Sequence, residues 1–204
     1  MTASEISYLE SASDRAALGP YEKLCKGQYE RYLLPEDPGR EGLKAYREAG
    51  GYLGFARALR EAPERIIAEI EAAGLTGKGG AGFPTARKWA LVRASAASDR
   101  FVIANGGEHE PGSRKDTVLL ERAPHRVIEG AVLAAWAVGA RTVHILVAED
   151  REDALRSVGA AISEALAAGI IGRALRRGFS VEVDVLSIPA SYAAGEETAA
   201  VRFL

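Results

Sequence analysis

From Gly74 to Trp89 the chain reads GLTGKGGAGFPTARKW, a run in which five glycines, two lysines and two aromatics crowd around one turn. Gly77, Gly79, Gly80 and Gly82 remove side chains where the main chain must turn at positive φ or lie flat against something. Lys78 and Lys88 add positive charge beside them. Such a loop lets a ligand touch backbone, and a phosphorylated, planar ligand meets its demands.

The elements around this loop alternate between helix and strand. Pro63 suits a first helical turn, Ile66, Ile67, Ile70 and Ala73 share a face, and Gly74 stands where a helix-terminating glycine belongs. Phe101–Ala104 is an apolar run that ends in Asn105-Gly106-Gly107, as a buried strand opening into a loop does. Pro124 begins an apolar helix through about Val138, stopped by Gly139. Thr142–Ala148 reads as a second buried strand, and Asp150 is expected to cap a helix in which Leu155, Val158, Ile162 and Leu166 recur at helical spacing. Ser180–Ile188 alternates Val181, Val183 and Val185 with acids, the pattern of a strand with one less buried face. The pattern predicts an α/β fold: a Rossmann-like, mostly parallel sheet with flanking helices, ligands lying at the carboxyl ends of the strands. Residues 1–60, rich in Tyr, Glu, Lys and Arg with a turn at Leu34–Gly39, are expected to form a short helical N-terminal extension. Residues 61–204 are expected to form the α/β domain.

Composition narrows the functional classes. A formal net charge of −2 and a pI near 6.0 give no electrostatic reason to expect nucleic acid. Cys25 is the only cysteine, so no internal disulfide forms and no iron–sulfur cluster is expected in this chain. No apolar run approaches the roughly 20 residues that cross a bilayer, and the acidic N-terminus is unlike a secretory signal. The expected location is cytoplasmic, without direct membrane insertion, either free or peripheral to a larger membrane complex.

Three segments carry the chemistry: the glycine loop, Asn105-Gly-Gly-Glu-His-Glu-Pro-Gly-Ser113 followed by Lys115-Asp116, and Tyr192-Ala-Ala-Gly-Glu-Glu-Thr198. The first is not a Walker loop, because no Ser or Thr follows its lysine, nor does it open a helix directly after a strand as the dinucleotide fingerprint requires. Glu108, His109 and Glu110 sit side by side, a spacing that rarely aims at one ion. His125 and His144 lie elsewhere, and no metal site is expected.

Together the three segments resemble the flavoprotein subunit of respiratory complex I (NADH:quinone oxidoreductase) and its relatives in NAD-linked hydrogenases and formate dehydrogenases. That family carries GxGRGGAGFPTGxKW, N-A-D-E-S-E-P-G-S-x-K-D and Y-x-C-G-E-E-T-A in the same order. The resemblance spans roughly residues 60 to 200. It implies an FMN cofactor held mainly by backbone, with NADH as substrate stacking on it. By position, Gly77, Lys78, Gly79, Gly80, Lys88, Asn105, Glu108, Tyr192 and Gly195 would hold the flavin. Phe83, Glu110, Glu196 and Glu197 would meet NADH, the last two at the adenosine ribose, where their charge would repel the extra phosphate of NADPH. No acid–base catalytic residue is implied, since hydride transfer asks for positioning. Electrons would pass to iron–sulfur subunits of a larger complex.

The departures are specific. Gly107 stands where the family has Asp, Lys78 replaces an arginine fork, His109 replaces serine and Ala194 replaces cysteine. The family continues past G-E-E-T-A into a ubiquitin-like domain and a cluster-bearing helical domain, neither of which is in this sequence. These differences leave a second class open: a catalytically silent structural or assembly paralogue, or a fragment, that no longer binds flavin. Two acids at a helix start also favour the helix dipole with no ribose present.

Overall fold

The computed structural model describes residues 33–35, 39–78, 81–108, 110, 112–191 and 197–203. The turn expected at 34–39 falls partly outside these residues, as do Cys25, His109 and Ala194.

Strands β1 (Phe101–Gly106), β2 (Thr142–Ala148) and β3 (Glu182–Ile188) pair in sequence order as a parallel sheet. The register sets Ile103 beside His144 and His144 beside Asp184, and Asn105 beside Leu146 and Leu146 beside Leu186. Because side chains alternate across a strand, one face presents Val102, Ala104, Val143, Ile145, Val147, Val183 and Val185. Helices α5 (Lys115–Arg122) and α6 (Pro124–Val138) connect β1 to β2, and α7 (Glu152–Ala167) connects β2 to β3. Ile128, Val132, Ala135 and Val138 of α6 and Ala154, Val158, Ala161 and Ala165 of α7 close that face into one buried core. The α/β architecture with a parallel sheet and flanking helices is the one the alternating pattern requires.

Local chemistry explains the boundaries. Pro63 opens α3 (Pro63–Ala72), and Gly74 takes the left-handed conformation just beyond its end, φ +63°. Gly139 likewise ends α6 at φ +77°. Asp150 is not the cap of α7: Arg151 occupies that position without a side-chain cap bond, and the Asp150 carboxylate lies 3.7 Å from Arg151 Nε instead. β3 begins at Glu182, two residues later than expected, because Val181 spends its backbone on an antiparallel bridge to Gly172.

Helices α1 (Leu43–Glu48) and α2 (Leu53–Ala58) precede α3 and donate Tyr46, Tyr52 and Phe55 to the main core. Their attachment is polar as well as apolar. Glu129 of α6 accepts bonds from the Tyr46 hydroxyl (2.5 Å) and from the backbone N–H of Tyr52 (2.8 Å) and Phe55 (3.0 Å). His125, fully buried, stands between the Tyr52 hydroxyl and Glu164 of α7, 3.0 Å from each. Helix α4 (Thr85–Ala94) follows the glycine loop, and α8 (Glu197–Ala200) follows β3.

Candidate functional site

The glycine loop is closed into a ring at its base. Gly77 N–H bonds the Phe83 carbonyl at 2.9 Å and Thr85 N–H bonds the Leu75 carbonyl at 3.0 Å, with Thr76 and Pro84 bridged between them. Gly82 holds φ +60°, and a Cβ placed there would meet nothing within 4 Å, so its main chain is bare to solvent. Lys78 and Lys88 are exposed, and Phe83 keeps 40% of its surface, with the Arg87 guanidinium 5.8 Å from its ring centroid. The loop leads straight into α4, whose first turn contains no acidic residue. Bare backbone, flanking cations and a half-free aromatic at a helix amino end fit a ligand that joins an anionic group to a flat ring.

The loop that follows β1 is organised by Glu108. Its side chain is 1% exposed, and its two oxygens accept from Ser113 Oγ (2.5 Å), Thr117 Oγ1 (3.1 Å), Thr117 N (3.2 Å), Asp116 N (3.3 Å) and Lys115 Nζ (3.3 Å). Burial pushes this carboxyl up, but the donors outweigh it and hold it at about 2. Two of those donors are free N–H groups of the first turn of α5, so Glu108 caps a helix that begins seven residues later. Asp116 is moved the other way, raised chiefly by burial. Asn105 Oδ1 accepts from Gly107 N–H at 3.0 Å, and Glu110 is exposed at the turn that Gly112 makes at φ +80°. Gly106 serves close approach: a Cβ there would lie 2.5 Å from Leu120 Cδ1 and 2.7 Å from the Leu146 carbonyl.

Helix α8, in which the third segment ends, packs against β1. Ala200 packs with Leu146 and Ile188 on the second face of the sheet, with Ile103 and Leu186 alongside. Glu197 opens this helix. Helix α8 therefore lies against β1 and the second face of the sheet. The glycine loop is joined to β1 through α4, about 15 Å long by helical rise, and the connecting segment 95–100. Gly79, Gly80, Tyr192, Gly195 and Glu196 lie outside the described residues. No group of His, Cys, Asp and Glu suited to a metal is present among the described residues.

Several features are not foreseeable from sequence. Glu108 is expected at a ligand but turns inward, and the signal of its capping role, the pairing of an acid with Ser113 and Thr117, is recognisable only in hindsight. His144, expected as strand packing, also has its Nδ1 2.7 Å from Asp184 Oδ1 across the β2–β3 register. A cavity of about 310 Å³ lies at the opposite, amino edge of the sheet, lined by Arg100, Phe101, Arg141, Thr142 and His144 among others.

Comparison with known proteins identifies relatives of this chain. The sequence model of the Nuo51 FMN-binding domain matches residues 70–204. The F 2 subunit of NADH-quinone oxidoreductase from Rhizobium meliloti is 37% identical over 164 residues, covering 79% of this chain and 39% of the relative. The corresponding F subunit from Aquifex aeolicus is 36% identical over 168 residues, 82% of this chain and 39% of the relative. Among solved structures, the NAD+-reducing [NiFe]-hydrogenase in the H2-reduced state superposes with a TM-score of 0.67 at 32% identity, covering 80% of this chain and 28% of that one. This chain spans about two fifths of the length of those two NADH-quinone oxidoreductase relatives. With its parallel sheet, its glycine loop and this match over most of its length, the chain belongs to the complex I 51-kDa (Nuo51) FMN-binding domain family.

Proposed function

We propose that this chain is an FMN-binding, NADH-oxidising module that feeds electrons to iron–sulfur subunits of a larger complex. The observation that carries the reading is the glycine loop: open main chain at Gly82, exposed Lys78 and Lys88, and Phe83 offering a ring at the start of α4. FMN, when bound, supplies the two-electron acceptor that no protein side chain provides.

The chain's own task is binding and orientation. Gly77, Gly79 and Gly80 present backbone to the cofactor, and Lys78 and Lys88 place positive charge beside its phosphate and polar edge. Asn105, Tyr192 and Gly195 complete the flavin side. Phe83 stacks on the incoming dinucleotide, Glu110 stands on its nicotinamide side, and Glu196 and Glu197 accept from the adenosine ribose and exclude a 2′-phosphate. Glu108 acts at one remove: with both oxygens spent inside the protein, it fixes the loop that carries Glu110. We place the module on the cytoplasmic side, peripheral to its complex. No helix among the described residues is long and apolar enough to cross a membrane.

A visible-absorbance titration of the purified chain with FMN, followed by anaerobic NADH, tests the reading. Saturable binding and bleaching of the band near ~450 nm by NADH, with little response to NADPH, is the expected result. Absence of FMN binding at large excess overturns it in favour of a silent structural paralogue, the reading that Gly107 and Ala194 favour.

A further inference from the structure

Each strand of the sheet is led in by arginine. Arg100 precedes β1, Arg141 precedes β2, and Arg173, Arg176 and Arg177 fill the loop before β3. Arg177 holds a left-handed φ of +61° and reaches across to the end of α2, its Nη1 3.2 Å from the Glu61 carbonyl and 3.4 Å from that of Arg60. That contact joins segments 117 residues apart and adds Arg60 to the same edge.

The resulting charge is local and only partly offset. Arg60, Arg141, Arg173 and Arg176 are exposed and have no carboxylate partner among the described residues, and Arg177 donates to carbonyls only. Against these arginines stand four acids, Glu61, Asp99, Glu182 and Asp184, the last bonded to His144. A basic surplus has thus been gathered at one edge of a chain whose net charge is −2. Apolar surface accompanies it. Phe101 at the cavity is 44% exposed, and Leu166, 58% exposed, sits against Gly172, whose added Cβ would be 3.1 Å from Leu166 Cδ1.

We propose that this amino edge is the docking surface for an acidic face of a protein partner. Arginine is the residue that engages carboxylates in bidentate pairs, and arginines interleaved with single apolar anchors are the composition of protein interfaces. A phosphate backbone is a continuous line of negative charge and would pass over Glu61, Asp99, Glu182 and Asp184 as well as the arginines, whereas a folded partner can set its carboxylates against the arginines alone. The edge lies away from the loops at the carboxyl ends of the strands, so a partner seated here leaves the loop that carries Glu110 uncovered. The surface is defined without reference to flavin, and it operates in the cofactor-free chain.

The test uses the full chain without added FMN, so its failure is separable from failure of the flavin reading. Fluorescence anisotropy follows a labelled peptide alternating glutamate with leucine, its glutamine counterpart, phosphatidylserine vesicles and a single-stranded oligonucleotide. Saturable binding of the glutamate peptide alone is expected, weakening at least about tenfold as salt rises from about 0.05 M to about 0.3 M. Arg173→Gln/Arg176→Gln should lose about tenfold in affinity, whereas Arg114→Gln/Arg202→Gln, equal in charge change but off this edge, should match the parent. Both pairs are exposed, and circular dichroism melts verify that each variant is folded. Tighter binding of vesicles or oligonucleotide, equal loss in both variants, or no binding of the glutamate peptide overturns the proposal.

Discussion

Glu108 shows how much one buried carboxylate decides. Its charge is surrounded by five donors, and its folded-state value of about 2 lies below the ordinary 4.5. Ionised Glu108 therefore stabilises the fold fully above 4.5, and that stabilisation is lost as the pH falls from 4.5 towards 2. Glu164 adds to the same window, lowered to about 2 because the bonds from Arg40, His125 and the Leu43 backbone outweigh its burial. Glu108→Gln keeps the shape but loses the charge-assisted bonds to Lys115 and the first turn of α5. We expect it to lower the unfolding free energy by roughly 2–3 kcal/mol at pH 7, as for a buried charged hydrogen-bonding group. The gap from the parent should close on acidification to pH 2. Urea unfolding at several pH values measures both, and a gap that stays constant across that range would show that the charge is not what Glu108 contributes.

At the level of elements, the least legible feature is the attachment of α1 and α2. The strands can be read because Val and Ile alternate or run together between glycines, and α6 because Pro124 and Gly139 bracket it. Asp150 misleads because a capping residue type says nothing about whether the next turn begins one residue later. His125, Glu129 and Glu164 are separated in sequence from Tyr46 and Tyr52, and nothing local announces that they meet. Asp116 and Glu108 are equally opaque, since which acid turns inward depends on tertiary contacts. The clasp has a pH consequence. Burial holds the His125 imidazole below its ordinary 6.5, opposed by the Glu164 carboxylate, so the neutral ring donates from Nε2 to Glu164 and accepts at Nδ1 from Tyr52. Its contribution is complete above 6.5 and falls away as the pH drops below that value. A charged ring loses its acceptor for the Tyr52 hydroxyl. We expect amide hydrogen exchange across residues 43–58 to quicken, relative to β2, between pH 7.5 and pH 5.5 once corrected for intrinsic rates. Equal protection at the two values would mean that the clasp does not depend on the imidazole.

For the molecule as a whole, the question is whether the sheet of β1, β2 and β3 and its loops hold a cofactor firmly when the chain spans about two fifths of its NADH-quinone oxidoreductase relatives. The cations and open backbone of the glycine loop act on a phosphate, whereas Phe83 and the β1 loop act on rings. FMN and riboflavin differ only in that phosphate, so their effects on stability separate the two contributions. A ligand at about 100 times its dissociation constant raises the unfolding free energy by roughly 2.7 kcal/mol. For a domain of this size that corresponds to a rise in melting temperature of about 5–10 °C. If the helix amino end and Lys78 hold the phosphate, FMN should produce such a rise and riboflavin at the same concentration only a small part of it. Lys78→Ala should then bring the FMN shift down to the riboflavin value while leaving the melting temperature of the free chain unchanged, because Lys78 is exposed. Equal shifts from the two flavins would place recognition at the ring alone and remove the glycine loop from its assigned role. Because the free chain's melting point serves as the internal reference, loss of the FMN shift in Lys78→Ala cannot be mistaken for a general loss of stability.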